Sequence, residues 1–336
     1  MATMRAWTFD NPAPVDDVAL RLGTRPRPEP AGGEALVRVR ACGVCRTDLH
    51  LVEGDLPPRR AGVTPGHQIV GEVIALGAGV TRFSVGERIG GAWLRGTCGQ
   101  CSWCRSGREN LCPDSRYTGW DADGGFAEYA TLPAAYAYEI PERYNDEQAA
   151  PLLCAGIIGY RALRRAELPP GGRLGIFGFG ASAHITAQIA LAEGAELYVL
   201  SRGERGRRLA SEMGAVFVGE SHEIPPRRLD AAIVFAPAGD VVPVALDSVG
   251  RGGTVAIAGI YLSEIPPLDY ERHLFYERTL RSVTSNTRRD GEELLRIAAR
   301  MDVRVHTTRY PFDATDRALR DLAAGSFGGA AVIAAE

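Results

Sequence analysis

The sequence predicts a two-domain α/β protein in which a β-rich domain precedes a doubly wound parallel sheet. Its 336 residues are enough for two domains of roughly 150 residues each. Short apolar segments separated by glycine and proline fill the chain up to Pro151, a spacing typical of β structure. Beyond that residue, strand and helix patterns alternate regularly, which indicates a parallel sheet covered by helices on both faces.

The strands of the first domain are predicted from runs of β-forming residues between turn signals. Alternation of apolar and basic residues is clearest at residues 35–40. The predicted strands are residues 35–40, 69–76, 88–91 and 126–131.

The second domain is predicted as alternating strands and helices. The strands are residues 174–177, 197–200, 231–235 and 254–258, and the first two helices are residues 183–192 and 205–213. The alternation ends around residues 282–287. A helix at residues 291–300 then leads to a tail, residues 303–336, which we expect to return to the first domain.

Composition and charge exclude several classes of protein. Hydrophobic residues make up 45% of the chain and charged residues 24%, as in an ordinary globular protein. The net charge is −3 and Lys and Arg are not concentrated in one block, so a nucleic-acid-binding protein is not expected. The N-terminus lacks the apolar run of a signal peptide, and no segment offers about 18 uninterrupted apolar residues. We therefore expect a cytoplasmic protein with no nucleic-acid or membrane partner and with seven reduced cysteines.

Four cysteines in one short segment predict a structural metal site. They follow the pattern C-x2-C-x2-C-x7-C and are Cys98, Cys101, Cys104 and Cys112. Four thiolates can close a tetrahedral shell around zinc, and four unrelated buried cysteines are improbable at this density. A 4Fe–4S cluster is the competing interpretation because Pro113 follows the last cysteine, but the final spacing of seven favours zinc.

A glycine-rich turn between a predicted strand and a predicted helix indicates a dinucleotide site. The turn reads G-x-G-x-x-A, with Gly178, Gly180, Ala181, Ser182 and Ala183 as its candidate binding residues. Its glycines allow a pyrophosphate to approach closely, and the helix N-terminus offers free N–H groups. A simple glycine-rich turn is the alternative, but the strand–turn–helix context favours a Rossmann-type domain that binds a nicotinamide dinucleotide.

Ser201 and Arg202 occupy the end of the second predicted strand, where an acidic residue would bind the ribose of NAD. A hydroxyl and a guanidinium suit a 2′-phosphate better than a diol, because arginine binds phosphate oxygens in bidentate fashion. We therefore expect NADP(H) to be favoured over NAD(H). Glu204 is the competing signal, since a carboxylate that turned back toward the ribose would reverse the preference.

Three further candidate ligands, Cys45, His67 and Cys154, lie far apart in the sequence. Two thiolates and one imidazole can form a catalytic zinc set whose fourth position is left to water or substrate. Each residue alone is more often structural, because an isolated cysteine in an apolar segment usually behaves as a small hydrophobic residue.

Taken in order, these segments resemble the zinc-dependent alcohol dehydrogenases of the medium-chain dehydrogenase/reductase superfamily over nearly the whole chain. The resemblance rests on Cys-Arg-Thr-Asp-x-His at 45–50, the Gly-His pair, the four-cysteine segment, Gly-Gly-Phe-Ala-Glu-Tyr at 124–129 and the dinucleotide motif. It implies a GroES-like catalytic domain, residues 1–154 and 286–336, and a Rossmann domain, residues 155–285. It also implies two Zn²⁺ per subunit, the catalytic ion held by Cys45, His67 and Cys154, while Cys42 packs.

The same resemblance implies roles for the segment after Cys45. Thr47 would hydrogen-bond the substrate alkoxide and pass its proton through the cofactor ribose toward His50, which reaches solvent. Asp48 would orient the imidazole ligand, and Arg46 would approach the cofactor pyrophosphate. Read without the family, Thr47 and Asp48 could equally cap a short helix, and Arg46 could be an ordinary exposed arginine.

The chain departs from the family pattern at Gln68, where many members have glutamate after the histidine. An amide donates and accepts hydrogen bonds but carries no charge, so a carboxylate role near the metal does not transfer to this chain.

Trp93, Leu94 and Trp120 lie near the zinc segments, and the resemblance implies that they line a substrate pocket. Two tryptophans there favour a hydrophobic alcohol or aldehyde, and ordinary packing is the alternative.

Together, metal and cofactor predict a dehydrogenase that interconverts a primary or secondary alcohol with its aldehyde or ketone by hydride transfer. A polyol or sugar dehydrogenase on the same scaffold is one alternative, and a noncatalytic zinc- and NADPH-binding protein is another. The resemblance implies a homodimer or homotetramer.

Overall fold

Elements of the first part of the chain are mainly short strands. The computed structural model describes residues 2–17 and 20–334. The strands are β1 Thr3–Thr8, β2 Arg21–Pro26, β3 Glu34–Val44, β4 Gln68–Leu76, β5 Arg88–Gly91, β6 Leu94–Gly96, β7 Arg116–Tyr117, β8 Tyr129–Pro133 and β9 Tyr138–Glu139. The helices are α1 Arg46–Glu53, α2 Ser102–Arg105 and α3 Asp146–Ala149, with 3₁₀ turns at Val15–Asp17, Glu109–Leu111, Ala134–Tyr136 and Ala150–Leu153.

Strands and helices alternate in the middle of the chain. The strands are β10 Arg173–Phe177, β11 Glu196–Leu200, β12 Phe217–Gly219, β13 Leu229–Val234, β14 Val249–Ile257 and β15 Thr279–Ser282. The helices are α4 Ala155–Ala166, α5 Ala181–Ala192, α6 Glu204–Glu212, α7 Val241–Ser248 and α8 Tyr270–His273. The last elements are α9 Arg288–Arg300, β16 Thr307–Pro311, a 3₁₀ turn Phe312–Ala314, α10 Thr315–Ala324 and β17 Ala330–Ala334.

The chain divides into two units. Unit 1 consists of Met1–Cys154 and Ser285–Glu336, and unit 2 of Ala155–Thr284. The boundaries expected from the sequence differ from these by one residue, Ser285. The family resemblance gives the point at which the chain returns from unit 2 to unit 1. The local pattern gives only a range, because the alternation of strands and helices fades gradually near residue 285.

Unit 1 is built on a sheet with the strand order β16-β17-β3-β4-β5-β9, and β8 pairs with β3. The pairs β3–β4, β4–β5 and β17–β3 are antiparallel. The apolar positions of β3, such as Val37 and Val39, are buried in one core with Tyr310, Leu319 and Ile333 from the last part of the chain. Residues beyond 300 therefore complete the sheet and core that the first residues begin.

Unit 2 is a parallel sheet with the order β12-β11-β10-β13-β14-β15. Numbered within the unit this is 3-2-1-4-5-6, the order of a doubly wound dinucleotide-binding fold. The central strands β10, β11 and β13 are mostly apolar, as expected for a sheet covered by helices on both faces, and Leu174, Leu197 and Ile233 are fully buried. The predicted Rossmann-type α/β fold is confirmed.

One predicted strand is misplaced. The sequence suggests residues 126–131, whereas β8 covers Tyr129–Pro133. Phe126 instead accepts a hydrogen bond from the backbone of Trp7 and donates to the carbonyl of Pro65, so its backbone belongs to the loops beside the sheet. The apolar run continues across this change of partner, which explains why the pattern does not reveal it.

Within the described residues, no helix is both long and apolar enough to cross a membrane.

Candidate zinc centres and dinucleotide site

Sheet register brings Cys45 and His67 together in unit 1. Strand β3 pairs antiparallel with β4, and Gly43 lies opposite Gln68. Cys45 follows the end of β3, and His67 immediately precedes β4. Because the two strands are antiparallel, both residues lie at the same end of the strand pair. A separation of more than 20 residues in sequence thus becomes a local contact.

Cys154 completes this cluster from a different element. It follows the 3₁₀ turn Ala150–Leu153, and its Sγ lies 3.3 Å from Nε2 of His67. The two sulfurs and the imidazole nitrogen all lie within 4.8 Å of one another. The cluster is defined here as the catalytic cluster: Cys45, His67 and Cys154.

Asp48 holds His67 from the opposite side of the ring. Its Oδ1 lies 3.0 Å from Nδ1 of His67, and both side chains are almost fully buried. The same carboxylate accepts hydrogen bonds from the backbone N–H of Gly66 at 3.0 Å and of Cys45 at 2.9 Å. Asp48 therefore both caps the start of α1 and orients the imidazole, so the two interpretations offered by the sequence are compatible.

The pKa values of the residues in the catalytic cluster depend on one another. Burial favours the neutral imidazole, but the charge and hydrogen bond of Asp48, together with the Cys45 sulfur, raise the pKa of His67 to about 10. The hydrogen bond from Cys154, with smaller contributions from His67, lowers the pKa of Cys45, whereas Cys45 and burial raise that of Cys154. A cation held here would displace protons, as metal ligation by thiolate and neutral imidazole requires.

The donors fit zinc. A tetrahedral ion with Zn–S and Zn–N bonds of about 2.3 and 2.1 Å places sulfur and nitrogen about 3.6 Å apart, close to the 3.3 Å found here. Three protein ligands of types S, S and N leave one coordination position, the arrangement of a catalytic zinc site.

The four-cysteine segment forms a second cluster, the cysteine lobe: Cys98, Cys101, Cys104 and Cys112. Its sulfur–sulfur distances include 3.5 Å for Cys98–Cys112, 3.6 Å for Cys101–Cys104 and 3.9 Å for Cys98–Cys104. Sulfurs about 2.3 Å from a tetrahedral centre lie about 3.8 Å apart, so the lobe also fits zinc. Backbone N–H groups of Cys98 and Cys101 point at sulfurs of the lobe at 3.4 Å, an arrangement that stabilises thiolates.

An ion pair fastens the cysteine lobe to α9. Buried Glu109, in the 3₁₀ turn before Cys112, accepts hydrogen bonds from the backbone N–H and Nε of Arg288 at 3.1 and 3.3 Å. Although burial opposes it, a hydrogen bond from its own backbone N–H and those from Arg288 lower the pKa of Glu109. The lobe is thereby held against the first turn of a helix that follows the second unit in sequence.

The dinucleotide motif lies in unit 2 at the turn from β10 to α5. Gly178 has a φ of +88° and donates to the carbonyl of Leu200 at 2.7 Å, and a Cβ there would lie 2.7 Å from the nitrogen of Ala236. Gly180 caps α5, whose first residues are Ala181, Ser182 and Ala183. Apart from its neighbours in the chain, no described atom lies within 4 Å of the position of a Gly180 Cβ, so the turn is open at this residue.

Ser201 and Arg202 follow directly after β11, the strand next to β10. Ser201 is buried, whereas the Arg202 side chain is exposed and has no ion pair recorded among the described residues. Arg207 in α6 donates to the carbonyls of both and pairs with Glu220 at 2.7 Å. Glu204 is the exposed first residue of α6. Arg202 is therefore an exposed cation at the end of β11 that forms no ion pair with the described residues.

The remaining residues of the α1 segment lie as follows. Arg46 is exposed at the start of α1, and the Thr47 hydroxyl lies 3.7 Å from the sulfur of Cys45. Nδ1 of His50 lies 2.9 Å from Oδ2 of Asp55, a partner that sequence analysis misses. Threonine and histidine three residues apart on a helix share a face, so Thr47 and His50 line one side of α1.

The structure brings Trp93 and Trp120 together and separates Leu94 from them. The Trp93 ring meets that of His67 edge-on, with centroids 5.0 Å apart, and stacks on Trp120 at 5.8 Å. Leu94 is 1% exposed and lines a small cavity beside Leu132 and Arg95, where it serves packing. Tyr117, which no sequence motif identifies, stacks on both tryptophans.

A catalytic cluster in a β-rich unit and a doubly wound dinucleotide fold in the other unit define a zinc-binding dehydrogenase. Residues 31–142 match the family described as alcohol dehydrogenase GroES-like domain, and residues 183–300 match zinc-binding dehydrogenase. The chain belongs to the zinc-dependent alcohol dehydrogenases of the medium-chain dehydrogenase/reductase superfamily.

Similar proteins agree with this family over their whole length. The chain is 57% identical to a probable alcohol dehydrogenase of Mycobacterium tuberculosis, over 99% of this chain and 97% of that protein. The structure of acetophenone reductase from Geotrichum candidum in complex with NAD is similar, with a TM-score of 0.89 and 25% identity. The match covers 99% of this chain and 97% of the reductase. A cobalt- and zinc-bound alcohol dehydrogenase from Pyrobaculum aerophilum has a TM-score of 0.89 and 27% identity, covering 99% and 100%.

Proposed function

We propose that this zinc-dependent alcohol dehydrogenase interconverts a hydrophobic primary or secondary alcohol with its aldehyde or ketone, and prefers NADP(H). The observation that carries the proposal is the catalytic cluster, whose S, S and N donors meet beside Asp48 and the stacked tryptophans. Zinc bound there would act as a Lewis acid on the substrate oxygen, and the nicotinamide would accept or deliver the hydride. The second zinc is proposed for the cysteine lobe, with a structural role.

Proton transfer is proposed to run along α1. The Thr47 hydroxyl lies beside the cluster and is the group we assign to hydrogen-bond the substrate oxygen. His50, on the same face of the helix and in contact with Asp55 at 2.9 Å, is the group that would hold the proton next. Since Asp55 is exposed, the proton would pass from there to solvent. Arg46 is proposed to meet the cofactor pyrophosphate.

NADP(H) is favoured by the charges at the end of β11. Arg202 is a cation without a recorded ion pair in the described part of the chain, whereas Arg207 is already neutralised by Glu220. A guanidinium there can bind a 2′-phosphate, and no carboxylate ends the strand to accept a ribose hydroxyl.

An apolar substrate is favoured by the rings beside His67. Trp93, Tyr117 and Trp120 are each partly exposed and together present an aromatic surface next to the catalytic cluster. A polyol would place its hydroxyls against this surface without hydrogen-bond partners, which disfavours the sugar and polyol alternative.

The seven free cysteines, all within the described residues, favour a reducing compartment, and we propose the cytosol. We also propose a homodimer or homotetramer, on the family resemblance alone.

The proposal is tested by an activity screen of primary, secondary and aromatic alcohols and their carbonyl products with both cofactors, alongside zinc analysis. Two zincs per subunit are expected, and Cys154→Ala should abolish turnover and remove one of them. Cys42→Ala is the matched control: this buried cysteine lies outside both clusters, so zinc content and turnover should be retained. A zinc-loaded wild type inert toward all alcohols and carbonyls would reject the proposal.

A further inference from the structure

Three aromatic rings pack against one another beside the catalytic cluster in three offset stacked pairs, and we call them the aromatic stack: Trp93, Tyr117 and Trp120. Their centroids lie 4.8 to 5.8 Å apart and their planes within 30° of each other. Offset stacks of this kind favour further planar π-systems, because ring quadrupoles prefer displaced parallel faces. Because all three rings are partly exposed, a planar substrate ring can join the stack.

Arg59 covers the Trp120 ring of the stack. Its guanidinium carbon lies 3.8 Å from the centroid of Trp120 and 6.0 Å from that of Tyr117. At 3.8 Å the planar guanidinium makes close contact with the indole face, a cation–π contact that lysine cannot reproduce with the same area. Arg59 thus holds one face of Trp120 and leaves the Trp93 side of the stack to the catalytic cluster.

Asp121 fixes both Arg59 and the loop that carries the stack. Its Oδ1 accepts a hydrogen bond from Nη1 of Arg59 at 2.7 Å, and its Oδ2 accepts one from the backbone N–H of Tyr117 at 2.7 Å. The carboxylate is 17% exposed, which reduces competition from water. The Asp121 carboxylate therefore fixes the Arg59 guanidinium relative to the backbone of Tyr117.

The segment that carries Arg59 is fastened in two further places. The carbonyl of Pro57 accepts the indole N–H of Trp120 at 2.8 Å. Arg60 pairs with Asp123, which also accepts the backbone N–H of Thr64 at 2.9 Å. Trp120 is thus held at its edge and at its face by the same short segment.

We propose that Arg59 and Asp121 are positioning residues that keep the aromatic stack in register and thereby set selectivity for planar aryl substrates over saturated ones. The inference rests on the proposed function, and it names a substrate class for it: benzylic or conjugated aryl alcohols and aldehydes. Neither residue needs to touch the reacting atoms. Their effect comes from removing the rotational freedom of Trp120, so that stacking of the substrate ring is not opposed by ordering of the indole.

The experiment compares benzyl alcohol with cyclohexylmethanol, a saturated ring of similar size, in the zinc-loaded enzyme with its cofactor. Arg59→Met should lower the ratio of kcat/KM for benzyl alcohol to that for cyclohexylmethanol by roughly fivefold, mainly through KM. Asp121→Asn should shift the ratio in the same direction, and Arg59→Lys should restore part of it because the charge beside Asp121 is kept. The near-ultraviolet circular dichroism of the coupled indoles should weaken in parallel.

Arg108→Met is the matched control, since Arg108 lies 4.6 Å from the centroid of Trp103 in the cysteine lobe, away from the stack. It should leave the substrate ratio unchanged. An Arg59→Met ratio equal to that of the wild type, or an equal loss for both alcohols, would overturn the positioning role. If the wild type oxidises neither alcohol, the proposed function fails first, and an unchanged dichroism in Arg59→Met would then refute the positioning of the stack independently.

Discussion

Oδ1 of Asp48 lies 3.0 Å from Nδ1 of His67, on the side of the ring opposite the Cys154 sulfur. This contact directs Nε2 at the other donors of the catalytic cluster, and the proton that Nε2 carries in the ion-free protein would be displaced when a metal binds. The ring cannot turn without breaking a buried hydrogen bond. The orientation in which His67 would bind a metal is therefore set by contacts within the protein.

Asp48→Asn should weaken zinc binding at the catalytic cluster or lower kcat by roughly 10- to 100-fold. The amide keeps an acceptor for the start of α1 but loses the charge that raises the basicity of His67. Competition with a chelator, followed by zinc analysis and steady-state kinetics, measures both effects. Asp313→Asn, which removes an exposed partner of Arg5, serves as the control and should change neither. Unaltered affinity and kcat in Asp48→Asn would show that the carboxylate only caps the helix.

Cys104→Ser should remove zinc from the cysteine lobe and spare the catalytic cluster. Since a closed four-thiolate site stabilises the fold around it, the apparent Tm should fall by roughly 5–10 °C. Well below that temperature, kcat should stay within about twofold of the wild type, because no member of the lobe belongs to the catalytic cluster. Thermal melts, zinc content and kcat are measured on one preparation. A protein that keeps both zincs would contradict the assignment.

Arg202→Ala should lower kcat/KM for NADPH by roughly 10- to 100-fold and leave that for NADH nearly unchanged, since hydrogen bonds to a charged group contribute about 1.5–3 kcal/mol. Arg208→Ala, which removes an exposed cation paired with Glu212 on α6, controls for the general loss of positive charge. Initial rates with both cofactors give the ratio. A wild type that prefers NADH, or a ratio that Arg202→Ala does not move, would assign the ribose site to other groups.

Asp230→Asn should destabilise unit 2 at neutral pH but not at strongly acid pH. Three hydrogen bonds of 2.8–2.9 Å from Arg173 lower the pKa of Asp230, against the opposing effect of burial. Because the folded pKa lies below the ordinary value of about 3.9, the stabilisation is fully present above that value and is lost as pH falls through the lower folded pKa.

At pH 7 the expected cost of Asp230→Asn is about 1 kcal/mol, or roughly 2–4 °C in apparent Tm, and the difference from wild type should shrink below about pH 4. Glu212→Gln, which breaks a highly exposed pair with Arg208, should shift Tm by much less at any pH. Melts at pH 7, 5, 4 and 3 measure the trend. A difference that persists unchanged at pH 3 would rule out the carboxylate as its origin.

Local sequence pattern predicts unit 2 well, because strand, glycine turn and helix follow one another within about 20 residues. The strand predicted at residues 197–200 and the helix at 183–192 each differ from β11 and α5 by one or two residues at one end. The cysteine lobe is predictable for the same reason, since its four ligands lie within a single loop region. In both cases the interacting groups are neighbours in sequence.

The catalytic cluster and its surroundings depend on pairing between distant strands, so local pattern cannot assemble them. Only the family resemblance links Cys45 with His67 before the β3–β4 register is known. Arg59 and Tyr117 carry no motif at all, and their contact arises from a loop held by Asp121. Leu94, adjacent in sequence to Trp93, is buried as the first residue of β6, whereas Trp93 lies in the bend before the strand and is partly exposed, a difference that no sequence motif indicates.

Strand β17 lies directly against β3, the strand that leads into Cys45, although almost the entire chain separates the two. During synthesis, β3 leaves the ribosome early, and its partner strand β17 is made only after all of unit 2. The metal-binding unit is thus finished last even though it begins first, and unit 2 can fold while its host is still incomplete. In this sense unit 2 is an insertion into unit 1. Unit 1 is the first to be translated in part, and the last to be completed.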